Sequence, residues 1–457
     1  MRPFVIELDD RALAFARDGR VVSSAPSAVW DGSTGEPAGT NAWNALRRHP
    51  TATSTRHLGT LLSQTVPTDR SIALVATELV RRLAAQPPGA DERVWIAAPA
   101  RAPERGLSAV LSIARTLSLP VDGFVSAAAA SVSALQLEQT AIVLELGLHH
   151  VAATSVDRDG AQVRRRRTVL ADRSGLMAFY QGWLELVSTT MVKRTRFDPL
   201  HDAVTEQQLF DSLASWAHQA ALEGSVNAVL AKGAERFTVT LTRDQFAQAG
   251  RNLHRQIVRL LHELRPAGAP VALVIPAMAC ALPGLRDELE QFAACELICV
   301  PDGYAAAAVA ALDLPARLPH EPVRLLRKIP VSSHGGDPVS RVTLGENRTA
   351  SPTHLLLDGQ VHALGRVPLV LGRSPVGPRT LQLPEGLAGV SRRHCTFVAD
   401  ENAVVLLDHS SFGTFVNGER VAERVRVRAG DRVRLGDPGV DLALLAVSAS
   451  SADGQNG

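Results

Sequence analysis

The stretch from Pro315 to Thr353, "PARLPHEPVRLLRKIPVSSHGGDPVSRVTLGENRTASPT", constrains what this chain can fold into more than any other. It is rich in Pro, Gly, Ser, Thr and charge and has no sustained periodicity, so residues 315–353 read as a flexible linker with a short ordered piece around Val323–Val331. A chain of 457 residues divided in this way is expected to build separate cores on its two sides.

The two sides differ in pattern. Residues 1–314 alternate apolar strand-like runs ("FVIEL", "TAIVLELG", "VALVIPA", "ELICVP") with long stretches of three-to-four spacing such as "SIALVATELVRRLAAQ" and "RDQFAQAGRNLHRQIVRLLHEL". Strands alternating with helices predict an α/β domain with a substantial sheet. Residues 354–447 hold only short alternating runs between Gly, Asp, Asn and Pro turns, which predicts an all-β sandwich. The tail, residues 448–457, has nothing to bury and is expected to be disordered.

Charge narrows the partners. With 48 basic against 46 acidic residues the net charge is +2, and the C-terminal module sets eleven arginines against ten carboxylates. No broad basic field remains for nucleic acid. Every apolar run is broken short of a spanning length, so no membrane insertion is expected. Cys280, Cys295, Cys299 and Cys395 form no CxxC pair and no zinc spacing, and read as small core residues of a protein kept reduced in the cytoplasm. No metal set is predicted. "VRRRRT", Val163 to Thr168, reads as a solvated strand edge rather than an anion patch.

Four turn motifs stand in order in the C-terminal part: "LGRSP" with Gly372 and Arg373, "VSRRH" with Ser391, Arg392 and His394, "SSFGTFVNG" with Ser411, Gly413, Asn417 and Gly418, and "AGDRVRLGD". A phosphothreonine carries nearly two negative charges and three acceptor oxygens, so its pocket needs fixed N–H donors and hydroxyls, which Arg373, Ser391, Arg392 and Ser411 could supply. On a sandwich background this set resembles the forkhead-associated (FHA) domain, a phosphothreonine-peptide binding module, over residues 354–447. The resemblance places those four residues in the phosphate-binding loops. It makes His394 a brace, Gly413 and Gly418 turn residues, and Asn417 a loop stabiliser through backbone hydrogen bonds. Arg393 lies outside the motif and reads as a surface charge. Phe412 stands where many members have an asparagine that contacts the peptide backbone, and Gly389 stands where some members read the third residue after the phosphothreonine.

The N-terminal part is similar, more distantly, to the actin, heat-shock chaperone and sugar-kinase ATPase superfamily, through the order of "FVIELDDRALAFARDGRVVSSAPSAVW", "VSAAAASVSAL", "AIVLELGLHHVAATSVDRDG", "VALVIPAMACALPGLRDELEQF" and "VPDGYAAAAVAAL". The phosphate-loop chemistry departs from that family. Glu7, Leu8, Asp9 and Asp10 replace its first loop, and Glu145, Leu146 and Gly147 with two histidines replace its second, keeping one glycine. Ile275–Pro276 stands at its adenosine Gly-Gly turn. The fold is therefore expected to persist without ATP turnover, cofactor or catalytic residue.

The resulting expectation is a signalling adaptor: a degenerate actin-like ATPase-type domain, a linker and an FHA module that docks a threonine-phosphorylated partner, either a serine/threonine kinase or its substrate. A phosphate on Thr349, Ser351 or Thr353 of the linker would compete for the same pocket. The alternatives are an active chaperone-like ATPase using ATP and magnesium, with Glu7 and Glu145 on the metal and His149 or His150 as a donor, and a purely structural assembly subunit.

Overall fold

A computed structural model describes the chain apart from residues 1–2, 31–37, 63–67, 266–269, 291, 293–294, 319, 333–339, 345–350, 358–359, 385, 388, 400–402, 429–430, 438 and 446–457. The expected disordered tail and Thr349 lie outside the described residues. Two units form, residues 1–288 with 296–342, and residues 343–457 with 289–295.

The first unit is built on two sheets. One orders its strands Arg324–Leu326, Val121–Ser126, Val94–Ala98, Phe4–Glu7, Ala12–Arg17 and Arg20–Pro26. Phe4–Glu7 pairs antiparallel with Ala12–Arg17 and parallel with Val94–Ala98. The other orders Lys328–Pro330, Gln162–Asp172, His150–Asp159, Thr140–Leu146, Val271–Pro276, Cys295–Val300 and Ser340–Leu344. Val94–Ala98 and Val121–Ser126 of the first sheet are buried along their whole length, as expected where helices cover a parallel sheet.

Local chemistry sets the helices. Thr68 and Thr242 begin Asp69–Ala85 and Arg243–Leu264 with reciprocal capping boxes to Ser71 and Gln245, satisfying the first free N–H groups of each helix. Ala127–Ser133 and Tyr304–Ala310 are alanine-rich and buried throughout, and belong to one core cluster with Val5, Val143 and Val274. Small side chains let these short helices lie close to the strands and bring the loops between the sheets together.

Three expectations need correction. The stretch expected to be a linker supplies strands Arg324–Leu326, Lys328–Pro330 and Ser340–Leu344 to the first unit, which reaches Val342 rather than Leu314. Backbone pairing at sheet margins holds these residues despite their lack of periodicity. Cys299 is bonded to Cys280, 19 residues away, whereas Cys295 and Cys395 are buried and outside that disulfide. The arginine run is not a free edge at its start, because Arg164 pairs with Lys328, and Arg165 donates from Nη2 to the carbonyl of Ala100 at 2.8 Å. Among the described residues no helix is long and apolar enough to cross a membrane.

The second unit is the expected sandwich. Its six-stranded sheet runs Gln360–Ala363, His354–Leu357, Gly439–Leu445, Arg432–Gly436, Thr414–Val416 and Glu419–Arg420. The five-stranded sheet runs Arg379–Gln382, Leu369–Gly372, Cys395–Ala399, Val404–Asp408 and Arg424–Val427. Leu371, Cys395, Phe397 and Leu406 of one sheet share a core with Leu355, Val433 and Leu435 of the other.

Candidate functional site

Three loops of the sandwich converge. The first leaves Leu369–Gly372 and starts with Arg373, the second carries Ser391 and Arg392 into Cys395–Ala399, and the third carries Ser411 between Val404–Asp408 and Thr414–Val416. Backbone hydrogen bonds tie the first two: Arg373 N–H donates to the Ser391 carbonyl at 3.1 Å and Ser374 N–H to the Arg392 carbonyl at 2.9 Å. A Cβ at Gly372 would stand 2.1 Å from the Arg392 oxygen, so only glycine permits this approach. The second loop meets the third where Ser411 N–H donates to Ser391 Oγ at 3.1 Å.

His394 braces all of this from within. Its Nδ1 accepts from Ser391 N–H at 3.1 Å, which leaves the ring proton on Nε2 to donate to the Gly413 carbonyl at 3.2 Å. Burial holds its pKa below the ordinary histidine value. The neutral ring can be acceptor and donor at once, and so fixes Ser391 and Gly413 together. Gly413 and Gly418 adopt φ of +86° and +90°, as turn residues should. Asn417, itself at φ +52°, donates from its side-chain Nδ2 to Asp431 Oδ1 at 2.9 Å, and Asp431 Oδ2 accepts from Arg428 N–H. Asp408 was not singled out in the sequence, yet it holds the third loop by accepting from Ser410 N–H at 3.0 Å and Thr414 Oγ1 at 2.8 Å. The "DHSS" spacing of an Asx turn was the available signal.

The side chains left facing outward are those chosen for a phosphate. Arg373 is half-buried, with an Nε buried and lacking an acceptor among the described residues. Arg392 and Ser411 are exposed and Ser391 is half-buried. A guanidinium with a desolvated, unsatisfied N–H beside two hydroxyls and a second guanidinium is suited to a dianionic oxygen cluster.

The loops of the first unit behave differently. The tip between Phe4–Glu7 and Ala12–Arg17 meets the tip between Thr140–Leu146 and His150–Asp159 around a cavity of about 70 Å³. Asp10 joins them, its Oδ1 accepting from Leu148 N–H at 2.7 Å and its Oδ2 lying 3.3 Å from His150 Nδ1. The same ring nitrogen lies 3.1 Å from Arg101 Nη1, so it serves either Asp10 as donor or Arg101 as acceptor. Burial alone would raise the Asp10 pKa, but its contact with His150 brings it below the ordinary value. Arg11 bridges Asp9 at 3.4 Å and Asp302 at 2.7 Å. Glu7 accepts from Ala306 N–H and Glu145 from Ala100 N–H, both at 2.8 Å, and burial pushes their pKa values up to about 7 and about 6. Gly147 lets the acidic group in, since a Cβ there would lie 2.5 Å from Asp10 Oδ1.

The structure thus brings Glu7, Asp9, Glu145 and Gly147 to one cavity, which Arg11, Arg101 and Asp302 also line. His149 stands apart, its Nε2 2.9 Å from Thr55 Oγ1 and its pKa pushed down to about 4, chiefly by burial. Among the described residues, no group of three acidic, histidine or cysteine side chains could hold a metal ion.

Residues 369–436 match the family model of the FHA domain, from the strand bearing Gly372 to the strand ending at Gly436. FHA domains bind threonine-phosphorylated proteins, so phosphothreonine-dependent protein binding belongs to this module. Among curated proteins, none matches the chain.

Proposed function

We propose that this protein is a non-enzymatic cytoplasmic signalling adaptor whose FHA module docks a kinase-phosphorylated partner and whose first unit is a scaffold of degenerate actin-like ATPase type. The convergence of Arg373, Ser391, Arg392 and Ser411 on loops locked by neutral His394 carries this reading. In it, Arg373 and Arg392 offer charged N–H donors to the phosphate oxygens while Ser391 and Ser411 hydroxyls fill the remaining lone pairs. The mechanism is recognition, and no bond is made or broken.

The scaffold half of the proposal draws support from the cleft of the first unit. Nucleotide pockets are typically several hundred Å³ with backbone N–H groups turned to the phosphates. Here one such N–H, that of Leu148, is taken by Asp10, and Glu7, Asp9 and Glu145 would repel a polyphosphate. Calorimetric titration of the full chain tests both halves. A phosphothreonine peptide should bind where its unphosphorylated form does not, and magnesium ATP should give no heat of binding. Micromolar ATP binding with turnover would establish the chaperone-like ATPase reading instead.

A further inference from the structure

The first sheet of the first unit ends on a very short strand. Arg324–Leu326 pairs parallel with Val121–Ser126 and stands last in the sheet order, so the backbone groups on its outer side have no strand partner among the described residues. Beside this edge a groove of about 540 Å³ runs between the strand and the helix Glu104–Thr116. Leu107 and Leu111, one turn apart, line it from the helix, Val323 and Leu325 from the edge, and buried Phe124, the ladder partner of Leu325, from the neighbouring strand. Leu326 packs instead into the core cluster of Val125 and Ile329, as the alternation of a strand requires.

The charges along the groove are unevenly matched. Arg324 is exposed and has no carboxylate partner among the described residues, and Arg327 meets Glu104 only at 3.9 Å, with side chains 60% and 88% exposed. A pair so exposed contributes little and is open to exchange. An unpaired ladder edge beside apolar side chains can accept an added strand, whose backbone joins the sheet while alternate side chains enter the groove. The two arginines select the charge of that strand. A second copy docking edge to edge would bring Arg324 and Arg327 of each chain against their counterparts, which like charges oppose. The segments of this chain outside the described residues carry no pair of large apolar side chains, and the longest of them, residues 446–457, reads "AVSASSADGQNG". The occupant therefore comes from another protein.

We infer that this groove is a strand-addition site for an extended segment of a partner protein, apolar at alternate positions and flanked by carboxylates. The edge Arg324–Leu326 takes the partner's backbone, Leu107, Leu111 and Phe124 take its apolar side chains, and Arg324 and Arg327 take its acids, Arg327 leaving Glu104 to do so. The site does not depend on the phosphothreonine pocket.

The test titrates the full-length protein with short fluorescein-labelled probes in low salt and follows anisotropy. The acidic probe alternates valine with threonine between terminal glutamates, and its counterparts carry terminal lysines, or N-methyl groups on every second backbone nitrogen in either register. The acidic probe should bind about tenfold more tightly than the basic one, the sum of exposed ion pairs gained and like-charge contacts avoided. N-methylation should remove binding in the register that faces the edge and spare it in the other. Arg324→Glu, a surface change that should leave urea unfolding where it was, is expected to reverse the preference towards the basic probe, and Leu111→Ala should weaken both probes alike. A phosphothreonine peptide should bind every variant equally, so that failure of this site is distinguishable from failure of the other. Equal binding of acidic and basic probes, indifference to N-methylation in both registers, or no binding of the acidic probe at millimolar concentration would overturn the inference. A dimer in sedimentation velocity that Leu111→Ala dissolves would overturn it too, and give the groove to a second copy.

Discussion

Both units gather charged residues at the tips of loops that meet, yet the two gatherings differ in where their charges end. In the first unit Asp10 faces His150 and takes Leu148 N–H, and Arg11 lies between Asp9 and Asp302. In the sandwich Arg373, Arg392 and Arg420 have no acidic partner among the described residues, and Arg373 Nε is buried without an acceptor. Asp10 Oδ2, Arg11 Nε and Glu145 Oε1 of the first unit are likewise buried without a hydrogen-bond partner among the described residues, so the difference lies in the counter-ions: charges paired within their own chain have less affinity left for a ligand than cations without a carboxylate partner. The contrast explains why a whole-chain charge of +2 does not locate a binding site.

The sharpest way to break the comparison is Arg373→Ala. It should weaken phosphothreonine-peptide binding by roughly a hundredfold, the effect of losing one or two charge-assisted hydrogen bonds, with no change in the unfolding of the first unit. Anisotropy and urea unfolding on the same preparation would check both. Asp10→Ala should do the converse. It removes the acceptor of Leu148 N–H and should destabilise the first unit by about 3 kcal/mol while peptide affinity stays put. Hydrogen exchange at Leu148 should speed up accordingly, and unchanged protection there would show that the two loop tips do not depend on this contact.

Acidity separates the units further. The Glu7 pKa is raised from 4.5 to about 7 by burial, so the folded state holds this proton more tightly than the unfolded one. Its contribution is complete below about pH 4.5 and is lost as pH rises through about 7. Glu7→Gln should flatten that loss, worth up to about 3 kcal/mol between pH 5 and 8. His394 has the opposite sense, since its lowered pKa favours the neutral ring in the fold. Its contribution is present above the ordinary value of 6.5 and declines on acidification below it. Thermal melts of His394→Asn and the parent from pH 7.5 to 5 should converge as pH falls. The smallest effect is expected from Phe412→Asn, which returns an amide to the pocket rim and should tighten a neutral phosphothreonine peptide about threefold to fivefold, near 1 kcal/mol.

The sandwich and the meeting of its loops at Arg373, Ser391 and Ser411 were legible in the sequence because they depend on short-range turn chemistry. Gly372 beside Arg373, and Ser391 three residues before His394, are spacings that survive in a linear reading. The residues that were not legible act across strands. Arg420 reaches Gly413 only because Asn417 and Gly418 turn the chain back with positive φ, and Asp408 acts through an Asx turn hidden within a strand end. In the first unit the gathering of Glu7 and Glu145 followed from the order of elements, but the neutralising role of Arg11 needed Asp302, almost three hundred residues away. Cys280 and Cys299 also gave no local sign of pairing, because one ends a short helix and the other lies within a strand. Three-residue strands such as Lys328–Pro330 are too short to show a period.

Those short strands have a mechanical consequence. Leu326 ends a strand of the first sheet, Lys328 begins one of the second, and Arg327 alone joins them, with its own carbonyl accepting from Arg165 N–H. Consecutive Cα atoms are about 3.8 Å apart, so at this point the margins of the two sheets can separate by no more than the play of a single residue. The chain also crosses between these sheets through longer segments such as residues 127–139, so this crossing is the short stitch, and an opening at this margin must pivot about Arg327 or tear a strand from its sheet.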